Sequence, residues 1–129
     1  MNILGIGTEI VECPRIAQMI ERHGEVFLRR VYTEREIHYC SSRKTATQHY
    51  AARWAGKQAV IDALGLSSLS TTTDWRDIEI QPQVEGKTTV AMAGDVREAC
   101  VKRGVLQLEV SIAQCRTHAT GYAIAIGDA

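Results

Sequence analysis

A chain of 129 residues with 45% hydrophobic content has material for one hydrophobic core and not comfortably for two, so a single domain spanning residues 1–129 is expected. Fifteen basic residues balance fifteen acidic ones, which leaves no global field to drive nonspecific nucleic-acid or membrane binding, so any charged partner must be met by a local patch. The amino-terminal stretch MNILGIGTEIVE acquires acidic residues before a long apolar run has formed, which fits neither a signal peptide nor a membrane span and points to a cytoplasmic protein.

Met1 to Val11 alternates and then runs apolar, with small glycines at Gly5 and Gly7, and reads as an opening strand. Pro14 suits the first turn of a helix whose periodicity holds through Arg22, and Gly24 supplies a stop. A short helix follows through Phe27 and Val31. Thr33 with Glu36 three residues later is a capping-box signature, which opens another helix running to about Ser41. The alanine-rich segment from Thr45 to Leu64, interrupted by Gly56 and ended by Gly65, is expected to be the longest helix.

Ser67 to Asp74 reads as a loop. Trp75 to Ile80 alternates as a strand and turns through Glu85-Gly86 into a second strand, Thr88 to Met92, so a hairpin is predicted. Asp95 to Arg103 is an amphipathic helix ending at Gly104, and the strands Val105 to Ile112 and Ala119 to Ile126 follow. This order fits an α+β fold, an antiparallel sheet packed against helices, better than a βαβ alternation.

Gly5-Ile6-Gly7 lacks the third glycine and the helix start of a dinucleotide fingerprint. The pair instead permits close strand packing and leaves Glu9 as a carboxylate at the end of an apolar strand, either a ligand or a solvated strand end. Arg53 and Lys57 stand one turn apart on the long helix, so they could converge on one anion or form a solvated face. Arg15, Arg22 and Arg29 recur every seven residues, aligned if the helix continues through Gly24 and with the first two still on one face if it does not, which makes either a basic stripe suited to an acidic protein partner or a charged solvent face. Cys13, Cys40, Cys100 and Cys115 form no CxxC pair, and His23, His38, His49 and His118 no metal-binding spacing.

Together the segments GIGTEIVECPRI, VYTEREIHYC, AARWAGKQAV, WRDIEI and SIAQCRTHATGYA make the chain resemble, over almost its whole length, the holo-acyl-carrier-protein synthase family of phosphopantetheinyl transferases. The resemblance implies a homotrimer with active sites between subunits, transferring the 4'-phosphopantetheine arm of coenzyme A to a serine of acyl carrier protein. Such phosphoryl transfer needs a magnesium ion to neutralise the pyrophosphate, cations to hold the coenzyme and a base near the serine hydroxyl.

By the same resemblance, Glu9 and Gln58 stand where the family has an aspartate and a glutamate that bind Mg²⁺ and help deprotonate the nucleophile. Lys44, Arg53, Lys57 and Gly65 match positions that meet the coenzyme, with Lys57 at its phosphate. Arg15 and Arg22 match the basic first helix that meets the carrier protein. Gln114 replaces a pocket histidine, Asp62 a lysine, and Gly65-Leu66-Ser67 a Gly-Thr-Gly-like turn. Gln58 removes a charge and a potential base, since an amide takes no proton near neutral pH; loss of a general base costs about 10²–10⁴-fold in rate. Asp62 sets a carboxylate where a bound pyrophosphate would repel it. The residues therefore support two readings: an active transferase, and a family member that has lost transfer and acts as a carrier-protein or nucleotide-binding scaffold.

Overall fold

The computed structural model describes residues 1–66 and 73–128. The first strand, β1 (Asn2–Glu12), runs into α1 (Cys13–His23), α2 (Glu25–Val31), α3 (Glu34–Ser41) and the long α4 (Ala46–Ala63). A short hairpin, β2 (Ile78–Ile80) and β3 (Val90–Met92), precedes α5 (Gly94–Arg103), and the strands β4 (Val105–Gln114) and β5 (His118–Gly127) complete the described order. The α+β architecture is the one expected.

The local signals explain most boundaries. Thr33 Oγ1 accepts the Glu36 amide while Glu36 Oε1 accepts the Thr33 amide, closing the capping box that opens α3. Gly24, at φ 52°, and Gly104, at φ 75°, end α1 and α5 in the left-handed region that a side chain disfavours. Two expectations need correction. Trp75 to Asp77 form a 3₁₀ turn rather than the first half of a strand, because the Asp74 carboxylate accepts the Arg76 amide and caps it. The returning strand is shorter than Thr88 to Met92, although Gln81 N–H to Thr89 O extends the ladder and Val84 bridges Lys87 across the predicted Glu85-Gly86 turn. The expected Ser67–Asp74 loop lies outside the described residues except for Thr73 and Asp74.

The strands form two antiparallel sheets, β1-β5-β4 and β2-β3. In the larger sheet Gly7 pairs with Ala123, which pairs with Val110, and all three face α4. Alanines and glycines make that contact: a methyl group at Gly7 would overlap the Ala59 carbonyl oxygen, and one at Gly121 would meet the Ala55 carbonyl group. Backbone therefore rests on backbone. Around α4 the core divides in two, with Tyr50, Ala52 and Ala55 packing on α1 to α3 and β1, and Ala59, Val60 and Leu64 packing on β2, α5, β4 and β5.

The other face of the sheet is uncovered. Ile6 and Ile10 of β1 and Tyr122 and Ile124 of β5 alternate with the core-facing positions, and Ile6 and Tyr122 remain 61% and 52% exposed. No helix is long and apolar enough to cross a membrane among the described residues.

The β1–α4 contact yields a direct prediction. Gly7→Ala is expected to destabilise the protein by about 3 kcal/mol or more, because neither backbone can yield as a side chain could. Urea denaturation would measure this, and an unchanged midpoint would show that β1 is not seated on α4.

Candidate active site

Three candidate residues come together where β1 passes α4. Glu9 projects from β1 on the face that carries Gly7 and Val11, and Gln58 and Asp62 lie one turn apart on α4. Gln58 is 8% exposed and donates from Nε2 to Asp62 Oδ1 at 3.2 Å. The Glu9 carboxyl lies beside that of Asp62. Burial first, and then the Asp62 carboxylate beside it, push Glu9 above the usual carboxylate range, while the Arg15 guanidinium pulls the other way.

Lys57 does not join them. Its side chain is 0% exposed, and Nζ donates to Glu36 Oε1 at 2.6 Å, Val31 O at 2.6 Å and Trp75 O at 3.0 Å. All three ammonium protons are thereby used inside the core. Glu36 is equally committed, accepting the Thr33 amide on Oε1 and the Ile80 amide on Oε2. Burial lowers the Lys57 pKa and the Glu36 charge opposes the shift. With Nζ paired three times within the chain, Lys57 offers no free proton to the expected coenzyme phosphate in this structure.

Nor do Arg53 and Lys57 converge on one anion. Arg53 is buried, with its guanidinium carbon 4.4 Å from the Tyr39 ring centroid, and its Nε has no hydrogen-bond partner. A buried donor without a partner is costly, so Arg53 remains a candidate for an acceptor from outside the chain. Lys44 is exposed and lines an open groove of about 580 Å³ with Cys13, Thr47 and Arg116 at the start of α4. Gly65, at φ 70°, is exposed in the turn that ends α4, and Gln114 is exposed at the end of β4, opposite Ala119. A larger groove, about 950 Å³, runs between α3 and the β2–β3 hairpin and includes none of these residues.

The basic stripe is interrupted. Arg15 and Arg22 are both exposed on α1, Arg15 reaching over Trp54 at 5.9 Å. Gly24 breaks the helix, and Arg29, on α2, pairs with Glu25 at 2.9 Å and Glu34 at 3.4 Å. Arg29 therefore does not continue the line of free cations. Sequence reasoning also missed Glu36 as the partner of Lys57; its capping-box position was the available signal, but a second role for the same carboxylate depends on contacts from three other elements.

With this geometry in place, comparison with known proteins gives a consistent result. The family description "4'-phosphopantetheinyl transferase superfamily" matches residues 5–126, and the chain belongs to that superfamily. A Rhodopirellula baltica protein named holo-[acyl-carrier-protein] synthase is 41% identical over 124 residues, covering 96% of this chain and 98% of that protein. A Koribacter versatilis protein of the same name is 38% identical, covering 95% and 94%. Among solved structures, the Neisseria meningitidis holo-[acyl-carrier-protein] synthase superposes with a TM-score of 0.87 at 23% identity, covering 97% of this chain and 99% of that one. The Helicobacter pylori protein of that name, in complex with coenzyme A, gives 0.80 at 22% identity and covers 94% and 99%.

Removing one partner of the buried pair leaves an uncompensated charge, so Lys57→Met is expected to cost about 3–5 kcal/mol of folding stability. Chemical denaturation would measure the loss. A variant with wild-type stability and lowered activity would return Lys57 to the reaction site.

Proposed function

We propose that this protein transfers the 4'-phosphopantetheine arm of coenzyme A to a serine of acyl carrier protein, with residues 1–129 acting as one catalytic domain of a cytoplasmic homotrimer. The observation that carries the transferase reading is the near full-length identity, up to 41%, to proteins named holo-[acyl-carrier-protein] synthase. The scaffold alternative has the weaker support, because the clustered changes at Glu9, Gln58 and Asp62 leave carboxylates in place rather than an apolar plug.

The reaction makes a bond from the serine oxygen to the pantetheine-side phosphorus and breaks that phosphorus's bond to the bridging oxygen, releasing adenosine 3',5'-bisphosphate. The serine proton must go to a nearby base. The Gln58 amide takes up no proton near neutral pH, so Glu9, the carboxylate of β1 beside it, takes that role. A bound Mg²⁺ would supply neutralisation of the pyrophosphate charge. Glu9 and the Gln58 carbonyl are hard oxygen donors beside a further carboxylate, a donor set that fits such an ion, and these two residues would hold it.

The exposed Arg15 and Arg22 suit an acidic carrier protein and would steer its approach. Lys44, with Arg116 across the groove, and the unpartnered Arg53 Nε offer cationic donors to the nucleotide end of the coenzyme, and Gly65 and Gln114 border its path. The uncovered sheet face, with Ile6, Ile10, Tyr122 and Ile124, supports assembly, since a contiguous apolar patch of this kind marks an interface.

Incubation of apo acyl carrier protein with this protein, coenzyme A and Mg²⁺ is expected to add the phosphopantetheine mass in a metal-dependent way, read by intact-mass analysis against a control without enzyme. Absence of any gain, with coenzyme binding retained, would transfer the weight to the scaffold reading. Light scattering on a sizing column should give three times the chain mass of 14.3 kDa. Tyr122→Lys is expected to reduce it to that of one chain, and a persistent trimer would place the interface elsewhere.

A further inference from the structure

The resemblance puts the second acidic ligand of the cation site at position 58, where this chain has an amide. In the structure a carboxylate reaches the same place from the next turn. Helical side chains lean toward the helix N-terminus, so Asp62 hangs over the turn that contains Gln58. Its Oδ1 accepts from Gln58 Nε2 at 3.2 Å, and its carboxyl meets that of Glu9 across the β1–α4 contact.

We propose that Asp62 is the second anionic ligand for the divalent cation in this chain, paired with Glu9 and assisted by the amide oxygen of Gln58. The proposal rests on the transferase reading for the presence of a cation there, and it reassigns the residue that holds it. Rotation of the Gln58 amide would turn its oxygen toward the ion at the cost of the Nε2 to Asp62 Oδ1 hydrogen bond, an acceptor that the ion would then hold instead.

Side-chain lengths agree with such a displacement. Glu9 is one methylene longer than the aspartate the resemblance implies, and Asp62 is one methylene shorter than the implied glutamate at 58. Moving the helix carboxylate on by four residues, from 58 to 62, shifts its Cα by about 6 Å along the axis. A longer side chain on the strand and a shorter one, leaning back, on the helix bring the two carboxyl groups together again. The charge contributed by protein carboxylates is then two, the number an aspartate and a glutamate would supply.

Among the described residues no three His, Cys, Asp or Glu side chains gather into a closed metal cage. Two carboxylates and an amide instead leave coordination positions open, which suits Mg²⁺, an ion that keeps water and takes substrate phosphate oxygens. Asp62 is exposed, so its carboxylate is open to an incoming ion and its replacement by asparagine leaves the core untouched. The same observation recasts the expected repulsion of pyrophosphate: with a cation between them, carboxylate and phosphate are ligands of one centre.

The test is Mn²⁺ titration of the full chain, with coenzyme A and without carrier protein, following loss of the free-ion paramagnetic resonance signal. Asp62→Asn is expected to weaken Mn²⁺ binding about tenfold or more, as fewer ligand charges weaken a hard-ion site. The double variant Gln58→Glu with Asp62→Asn is expected to restore it, which a merely structural role for Asp62 would not predict. Wild-type Mn²⁺ affinity in Asp62→Asn, or no Mn²⁺ binding by the wild type, would overturn the assignment. Transfer assays on the wild type separate the two readings: transfer with unchanged Mn²⁺ affinity in Asp62→Asn sinks the assignment and leaves the transferase standing, whereas the tenfold loss without transfer supports the assignment and counts against the transferase.

Discussion

The buried ion pair between Lys57 and Glu36 fixes the azimuth of α4, and the arrangement of the site follows from it. The ammonium reaches out of the middle of that helix to the carboxylate of α3, the last carbonyl of α2 and the first carbonyl of the 3₁₀ turn. Desolvating two charges is expensive, and the pair is tolerated because each charge is saturated with hydrogen bonds. With Lys57 pointing into that pocket, the next residue is turned by about 100°. Gln58, and Asp62 one turn beyond it, therefore face β1 and Glu9.

This constraint also explains what the sequence disclosed and what it withheld. Stops and caps were legible because each is a local event: Gly24, Thr33 with Glu36, and Gly104 act within a few residues of themselves. The hairpin was legible from Glu85-Gly86, whose residues both take positive φ. The 3₁₀ turn was missed because alternation in Trp75 to Ile80 looked like a strand, whereas one Asp74 side chain captured the first amide it could reach.

The role of Lys57 was harder to see. α4 is buried on nearly every side, so its polar residues cannot be sorted into inside and outside by period. Two cations one turn apart suggested an anion clamp, yet one lies in an ion pair and the other on a tyrosine ring. Which carboxylates meet Glu9 is likewise a property of contacts across some fifty residues of sequence. Family resemblance directed attention to Glu9 and Gln58, and the fold added the contact with Asp62.

The contact between β1 and α4 has a mechanical side. Where Gly7 lies on Ala59 and Gly121 on Ala55, no long side chain intervenes, so there are no rotamers whose rearrangement could let the strand slide or lift. The two backbones behave as one stiff joint. Adjustment to ions of different radius then falls to the χ angles of Glu9, with three, and Asp62, with two, which act as the compliant elements mounted on a rigid frame.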